Sequence, residues 1–148
     1  RKRMKIRKAK EDDKEKILEL LNSEPATLEE NEMPYDEECA EEYIKGKSFE
    51  TFVCEISGEI AGVVIAHVRR IGRYAELYNL VVNKKYRKKG IGIRLMNFME
   101  EHLRKFNIEE MFLYTLYNND AMQKLSNKLK YKKGKKFLTY SKVLIKRK

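Results

Sequence analysis

Apolar and polar residues recur along the chain with periods that predict a succession of short strands and amphipathic helices. Alternation with a period of two, together with β-branched and aromatic residues, predicts strands at 4–9, 49–56, 60–68, 74–82, 110–116 and 137–145. Apolar spacings of three and four predict helices around 14–21, over about 36–44, from 91 to 106 and over about 119–129. Tight turns join the strands at 49–56, 60–68 and 74–82, so these strands are expected to be antiparallel.

The strands at 74–82 and 110–116 flank a single predicted helix. A strand, a crossover helix and a second strand form a βαβ unit, in which the two strands are parallel. Strict alternation within 74–82 gives two sets of side chains. One set contains Glu76, Tyr78, Leu80 and Val82, and the other contains Leu77, Asn79 and Val81. The pattern therefore predicts a mixed sheet covered by helices, with a parallel pair at its C-terminal side.

Length and cysteine content narrow the class of protein. The 148 residues are enough for one domain with a sizeable core, so we expect a single domain over 1–148. No apolar run approaches the roughly 20 residues that span a bilayer, and the charged start Arg1-Lys2-Arg3 does not resemble a secretory leader. Two cysteines, Cys39 and Cys54, are too few for a disulfide framework. We expect a cytoplasmic protein that does not bind membranes.

Charge is unevenly distributed along the chain. The net charge is +10, yet the segment 24–42 contains nine acidic residues and no lysine or arginine. A basic body suits a polyanionic ligand and an acidic segment suits a cationic one; alternatively, both are solvated faces of a protein rich in lysine and glutamate. Nucleic acid is a less favoured partner, because the chain has no recognisable helix-turn-helix, RNA-binding aromatic motif or zinc site.

The most informative segment is the basic turn between strand 74–82 and the following helix. We call residues 87–92 the glycine turn; it contains Arg87, Lys88, Lys89, Gly90 and Gly92. A helix start offers unpaired N–H groups to phosphate, and glycines let a diphosphate approach the main chain. The segment lacks the Gly-Lys-Ser/Thr of a P-loop and the third glycine of a dinucleotide-binding motif.

The spacing Arg87-x-x-Gly90-x-Gly92, followed by Leu95 and Met96, resembles the acetyl-CoA motif of the GCN5-related N-acetyltransferase (GNAT) superfamily. The order of predicted elements resembles that family over nearly the whole chain. The resemblance implies an α/β fold of the α+β type, with a central sheet of six to seven strands, an antiparallel N-terminal part and about four helices. It also implies acetyl-CoA as acetyl donor, and no metal.

The resemblance further implies which residues bind acetyl-CoA. Main-chain groups of Leu80, Val81 and Val82 would bind the pantetheine arm and the acetyl carbonyl in a gap between the two parallel strands. The diphosphate would lie against Arg87, Lys88, Lys89, Gly90, Ile91, Gly92 and Ile93. Asn119 would either contact the pantetheine or cap the next helix.

Glu76 is the candidate general base, because it has the separation from the glycine turn that histone-type members of the family show; the alternative is a surface or ion-paired glutamate. Ser126 stands where many members have a tyrosine that protonates the leaving thiolate, and Tyr117, Tyr78 or solvent are the alternatives. The family's acceptor pocket is shaped by the segment that contains Tyr35, Cys39 and Tyr43. His67 and His102 are interpreted as structural.

These features predict an N-acetyltransferase that moves an acetyl group to a primary amine by direct attack in a ternary complex. The expected acceptor is a small cationic amine such as a polyamine, or a protein lysine or N-terminus. The alternative hypothesis is a non-catalytic module that senses acyl-CoA. The chain is expected to be a monomer or a homodimer.

Overall fold

The computed structural model describes residues 3–23 and 34–146. Strands β1 to β5 are Met4–Lys8, Phe49–Ile56, Glu59–Arg69, Tyr74–Val82 and Glu110–Phe112. Helices α1 to α4 are Lys14–Asn22, Glu37–Lys45, Ile91–Lys105 and Asp120–Lys128. Within the described residues, no helix is long and apolar enough to cross a membrane.

The strands form one sheet in the order of the chain, from β1 to β5. Neighbouring strands are antiparallel from β1 to β4, whereas β4 and β5 are parallel. Ser57 and Gly58 form the tight turn between β2 and β3, with φ angles of 51° and 80°. Two positive φ angles match the twist that a two-residue hairpin needs. The mixed sheet, its parallel pair and the four helices are as the sequence predicts.

Helices cover both faces of the sheet. The buried side of α3 presents Leu95, Met96, Met99 and Leu103 to one face, and these positions share one stripe of a helix with 3.6 residues per turn. Helix α4 packs partly against the same core. Helix α1 and Tyr43 of α2 cover the opposite face. A parallel pair covered on both faces is typical of βαβ units.

A β-bulge at Tyr78 overturns the predicted faces of β4. Ile65 of β3 pairs with Asn79, whereas the next residue, Ala66, pairs with Leu77, so Tyr78 has no partner in β3. One extra residue reverses the alternation of everything that follows it. Consequently Leu77 shares the α3 face with Leu80 and Val82, and Val81 belongs to the α1 face. Strict alternation was therefore the wrong assumption for this strand.

The C-terminal part of the sheet is smaller than predicted. Strand β5 ends at Phe112 rather than near residue 116. The predicted strand over 137–145 does not form in the single chain, where residues 132–146 contain neither helix nor strand. The described residues thus form five strands, and the predicted six to seven strands are not confirmed. A strand needs a backbone partner, and nothing in the sequence pattern shows whether one is within reach.

We predict that Leu95→Ala destabilises the fold strongly. Leu95 is fully buried against the sheet, and removing its branched end leaves a cavity that costs about 2–5 kcal/mol. Ile71→Ala is the matched control, because Ile71 is fully exposed and its loss should change stability by less than about 0.5 kcal/mol. Urea unfolding followed by circular dichroism compares the two. Equal midpoints would contradict the assigned core.

Candidate functional site

The parallel strands β4 and β5 separate soon after they meet. They pair at Tyr74 with Glu110, at Ala75 with Met111 and at Glu76 with Phe112. Strand β4 then continues to Val82, and the described residues place no strand on that side of it beyond Glu76. The predicted ligand-binding residues Leu80, Val81 and Val82 lie on this stretch. Main-chain groups without a strand partner need other hydrogen bonds, so this edge suits an amide-containing ligand.

The glycine turn follows the free end of β4. Lys88 and Gly90 have φ angles of 62° and 77°, so the chain turns sharply twice before α3 begins at Ile91. The Arg87 Nε donates to the carbonyl of Val82 at 3.1 Å, which holds that side chain beside the end of the strand. Lys88 is exposed, and the Lys89 ammonium lies 5.7 Å from the centre of the Tyr86 ring.

The first turn of α3 packs directly against the end of β4. A Cβ atom at Gly92 would lie 3.8 Å from Leu80 Cδ2 and 3.9 Å from both Val82 Cγ2 and Leu125 Cδ2. Ile91 is buried and Ile93 is half-buried. By contrast, a Cβ atom at Gly90 would meet nothing within 4 Å. The start of α3 therefore has open space in front of unpaired N–H groups, which fits a diphosphate.

Glu76 lies where β4 and β5 begin to separate. It is half-buried, and it pairs with His67 of β3 on one side and Phe112 of β5 on the other. Ala75 and Leu77, its neighbours in the strand, face the α3 core. The pleat therefore directs the Glu76 side chain to the opposite face. This position gives the carboxylate an aromatic neighbour on each adjacent strand.

Aromatic rings surround this position on the α2 side of the sheet. The Tyr78 ring stacks on the His67 ring with centroids 5.4 Å apart, and meets the Phe49 and Tyr43 rings at 5.4 Å and 6.2 Å. Burial raises the pKa of the Tyr78 phenol, and the negative charge of Glu76 raises it further. Tyr78 is therefore a neutral phenol at neutral pH. It is still 42% exposed, so an incoming molecule can reach this ring.

A polar contact connects this cluster to the segment before α2. The Asn79 amide, buried in β4, donates to the Tyr35 hydroxyl at 3.0 Å, and the Tyr35 and Tyr43 rings lie 6.5 Å apart. The sequence analysis named Tyr35, Tyr43 and Asn79 but did not predict that they lie together beside the bulge. The polar side chain of Asn79 in an otherwise apolar part of the strand was the signal in the sequence that could have indicated this contact. Of the acidic segment, residues 24–33 lie outside the described residues, and Asp36 caps α2 by accepting from the Cys39 amide.

The two polar candidates on α4 are hydrogen-bonded within their own helix. The Asn119 Oδ1 accepts from the Met122 amide at 3.1 Å, as a helix cap. The Ser126 hydroxyl donates to the Met122 carbonyl at 2.8 Å, which occupies its proton. In the part of the chain that the structure describes, no group of three or more His, Cys, Asp or Glu residues is placed to hold a metal ion.

Comparison with known proteins identifies the fold that carries this site. A model of the acetyltransferase (GNAT) family matches residues 14–131. Among similar solved structures, the aminoglycoside N-acetyltransferase AAC(6')-Iy in complex with CoA has a TM-score of 0.80 at 17% identity, over 96% of each chain. The aminoglycoside acetyltransferase meta-AAC0020, from an uncultured soil metagenomic sample, has a TM-score of 0.77 at 20% identity, over 95% of this chain and 96% of that one. The ribosomal-protein-S18-alanine N-acetyltransferase from Escherichia coli has a TM-score of 0.74 at 20% identity, over 86% of this chain and 77% of that one. At these identities the likeness shows the fold.

We predict that Gly90→Ala lowers the free energy of unfolding because alanine is strained in the left-handed conformation of this residue, and not because the new methyl group meets a neighbour. A side chain at a φ of 77° costs about 1–2 kcal/mol, although the space in front of it is open. Gly134→Ala is the control, because Gly134 has neither a positive φ nor a close neighbour. Its effect should stay within about 0.5 kcal/mol. Urea midpoints measure both, and an unchanged midpoint for Gly90→Ala would contradict the left-handed conformation.

Proposed function

The chain belongs to the GNAT family of acetyltransferases, whose family model covers more than half of it, and on this premise we propose that it transfers an acetyl group from acetyl-CoA to a primary amine. The single observation that carries the proposal is the separation of β4 from β5 immediately after the pair of Glu76 with Phe112. The gap that opens between the two strands extends from Glu76, the candidate base, to the start of α3. In the proposal, the thioester lies along this gap, between the Glu76 carboxylate and the glycine turn.

Acetyl-CoA is the donor in this proposal. The structure of AAC(6')-Iy with CoA shows that this fold accepts the molecule. In the present chain the diphosphate would lie in front of the glycine turn, where Gly90 leaves the main chain uncovered. The pantetheine amides would hydrogen-bond to the free edge of β4 around Leu80 to Val82. The lysines of the turn would add attraction that salt weakens.

Glu76 is proposed as the general base. A primary amine is protonated at neutral pH and must lose a proton before its lone pair attacks the thioester carbonyl carbon. One ammonium proton passes to the Glu76 carboxylate, directly or through water. The neutral nitrogen then forms the C–N bond as the C–S bond breaks, and its second proton passes to solvent. The sulfur leaves as the CoA thiolate. A thiol with a pKa near 8.5 is a good enough leaving group to depart without a dedicated acid.

A cationic acceptor fits the surroundings of Glu76. The rings of Tyr78, His67 and Phe49 lie on the same face of the sheet as the carboxylate, and aromatic faces attract alkylammonium groups. The acidic residues at the start of α2, Glu37 and Glu38, are exposed and add negative potential at longer range. We therefore propose a polyamine-like molecule, or a protein lysine or N-terminus, as the acceptor.

We predict that Gly92→Asp abolishes binding of acetyl-CoA, whereas any loss of stability from a polar side chain beside Leu80, Val82 and Leu125 is shared with Gly92→Asn. An aspartate in the first turn stabilises a helix, yet its charge repels a diphosphate at the same place. Acetyl-CoA at 100 times its Kd should raise the Tm of the wild type by about 5–10 °C and that of Gly92→Asp by almost nothing. Gly92→Asn is the matched neutral control and should retain most of the shift. A full shift in Gly92→Asp would remove the glycine turn from the site.

We predict that Glu76→Gln lowers kcat/KM for the amine at least about 100-fold, because the amide cannot accept the proton. The Tm shift with acetyl-CoA should persist, because the variant keeps the binding edge. Release of CoA thiol across a panel of amines and lysine peptides measures turnover. Glu101→Gln, on the exposed side of α3, is the control and should retain full activity.

The same panel distinguishes the enzyme from a sensor of acyl-CoA. The occupied Ser126 hydroxyl is the one observation that favours a sensor, because the chain then lacks the usual acid at that position. Saturable binding of acetyl-CoA without thiol release on any amine would establish the sensor. Turnover that survives Glu76→Gln unchanged would instead keep the enzyme and exclude this base.

A further inference from the structure

A strongly basic segment leads from β4 into the glycine turn. Five of the six residues 84–89 are lysine or arginine. The sixth, Tyr86, is buried in the same core as α3. Lys84–Tyr86 form one turn of 3-10 helix shortly after the end of β4. Five like charges within six residues repel one another, so this segment keeps its conformation only if other contacts hold it.

Glu59 supplies such contacts from a remote part of the chain. It is the first residue of β3, directly after the tight turn at Ser57 and Gly58. The Tyr86 hydroxyl donates to one oxygen of its carboxylate, and the Lys85 ammonium pairs with the same oxygen at 3.2 Å. One carboxylate therefore joins the hairpin of β2 and β3 to the segment that enters the glycine turn.

The proton of this hydrogen bond stays on the phenol. The bond to Glu59 raises the pKa of the Tyr86 phenol, and burial raises it further. The same bond, followed by the contact with Lys85, lowers the pKa of the Glu59 carboxyl. At neutral pH a neutral phenol thus donates to an ionised carboxylate, and such a bond is stronger than one between two neutral groups.

The Tyr86 ring also holds two of the lysines. The ammonium groups of Lys85 and Lys89 lie 5.4 Å and 5.7 Å from its centre, within the range of a cation–π attraction. The ring is buried and its hydroxyl is bound by Glu59, so it forms a fixed support. Because Lys89 belongs to the glycine turn, this contact also restrains the turn itself.

The glycine turn needs a fixed start because its backbone is strained. Lys88 is a non-glycine residue with a φ of 62°, and this left-handed conformation persists only where the surroundings enforce it. The end of the turn is fixed by Ile91, which is buried. Its start is fixed by the bond of Arg87 to the end of β4 and by the bond of the adjacent Tyr86 to Glu59.

We propose that Glu59 is a positioning residue for the acetyl donor: by accepting from Tyr86 it holds the glycine turn in the conformation that receives a diphosphate. This inference rests on the proposed function, which places the diphosphate of acetyl-CoA in front of the turn. A turn that is held before the ligand arrives has little ordering cost left at binding. Without the bond, only a fraction of the molecules keep the competent conformation, and the apparent Kd rises by the inverse of that fraction.

Electrostatics alone predicts the opposite effect on binding. Glu59 is a negative charge beside a segment that binds an anion, and it pairs with Lys85. Removing that charge frees a cation and raises the positive potential, so a diphosphate should then bind more tightly. A positioning role requires weaker binding after the same change. The sign of the change in Kd therefore distinguishes a positioning residue from a neighbouring charge.

Isothermal titration calorimetry of the full chain with acetyl-CoA measures this sign. Glu59→Ala and Tyr86→Phe should each raise the Kd about tenfold, although the first removes a repelling charge and the second changes no charge. Glu59→Gln should bind better than Glu59→Ala, because its amide oxygen can still accept from the phenol. The variant that carries both Glu59→Ala and Tyr86→Phe should be no weaker than the weaker single variant, since both changes remove one contact.

Glu109→Ala is the matched control. Glu109 also carries an ion pair, with Arg73 at 3.0 Å, but at the opposite end of β4, and its loss should leave the Kd almost unchanged. In turnover assays, Tyr86→Phe should raise the KM for acetyl-CoA and leave kcat at saturating acetyl-CoA as in the wild type. Thermal unfolding shows which variants fold, and Tyr86→Phe keeps the buried ring in case Glu59→Ala does not fold.

Hydrogen–deuterium exchange without ligand tests the anchor independently of the donor. Peptides that cover residues 84–93 should exchange faster in Glu59→Ala and Tyr86→Phe than in the wild type, whereas peptides from α1 and β1 should not. Faster exchange in a protein that does not bind acetyl-CoA at all would support the anchor and remove the proposed function.

Three results would overturn the inference. The first is tighter binding of acetyl-CoA by Glu59→Ala, because Glu59 would then act only as a repelling charge. The second is a Kd that neither Glu59→Ala nor Tyr86→Phe changes, or that Glu109→Ala raises equally. The third is exchange of residues 84–93 at the wild-type rate in both anchor variants.

Discussion

One extra residue in β4 determines how the rest of the site is arranged. Tyr78 has no partner in β3, and a bulge bends its strand and increases its twist. Pairing between β4 and β5 ends at Glu76 and Phe112, two residues before the bulge. We infer that the bend carries the end of β4 away from β5. The same residue lets Leu77 and Leu80 both pack against α3, so the gap opens without loss of core packing.

The glycine turn depends on that arrangement. Helix α3 can start beside Leu80 and Val82 only because these side chains face it, and Gly92 fits there with contacts of 3.8–3.9 Å. A normal alternation would have turned the two side chains to the other face. The bulge, the gap and the position of the helix start are therefore one structural feature, and Glu76 lies at its edge.

The sequence predicted the elements whose signals are local. The apolar stripe from Leu95 to Leu103 and the tight turn at Ser57 and Gly58 were predicted, as was the order of strands and helices. The spacing of Arg87, Gly90 and Gly92 identified the glycine turn, and its predicted position at the start of α3 is confirmed. The bulge was missed because Tyr78 is a residue that favours strands, so its type gives no sign that it lacks a partner in β3. The length of β5 was missed because a strand ends where its partner departs, which is a property of another part of the chain. Residues 137–145 have a strand pattern without a strand for the same reason, since pairing is a relation between two segments.

Two hydroxyl groups near the site, those of Ser126 and Tyr78, could in principle protonate the leaving sulfur. The Ser126 hydroxyl donates to a main-chain carbonyl, and the raised pKa of Tyr78 makes that phenol a weaker acid than an exposed tyrosine. Neither group is therefore well suited to protonate sulfur. This matters little for the forward reaction, because a thiol with a pKa near 8.5 leaves readily as its thiolate, whereas an alkylamine with a pKa near 10.4 is almost entirely protonated at neutral pH. The barrier that the protein must lower is the deprotonation of the amine. In the function proposed above, the Glu76 carboxylate takes up that proton, and the aromatic rings on the same face of the sheet attract the ammonium form beforehand. The proposal requires a rate that rises with pH until the bound amine is neutral.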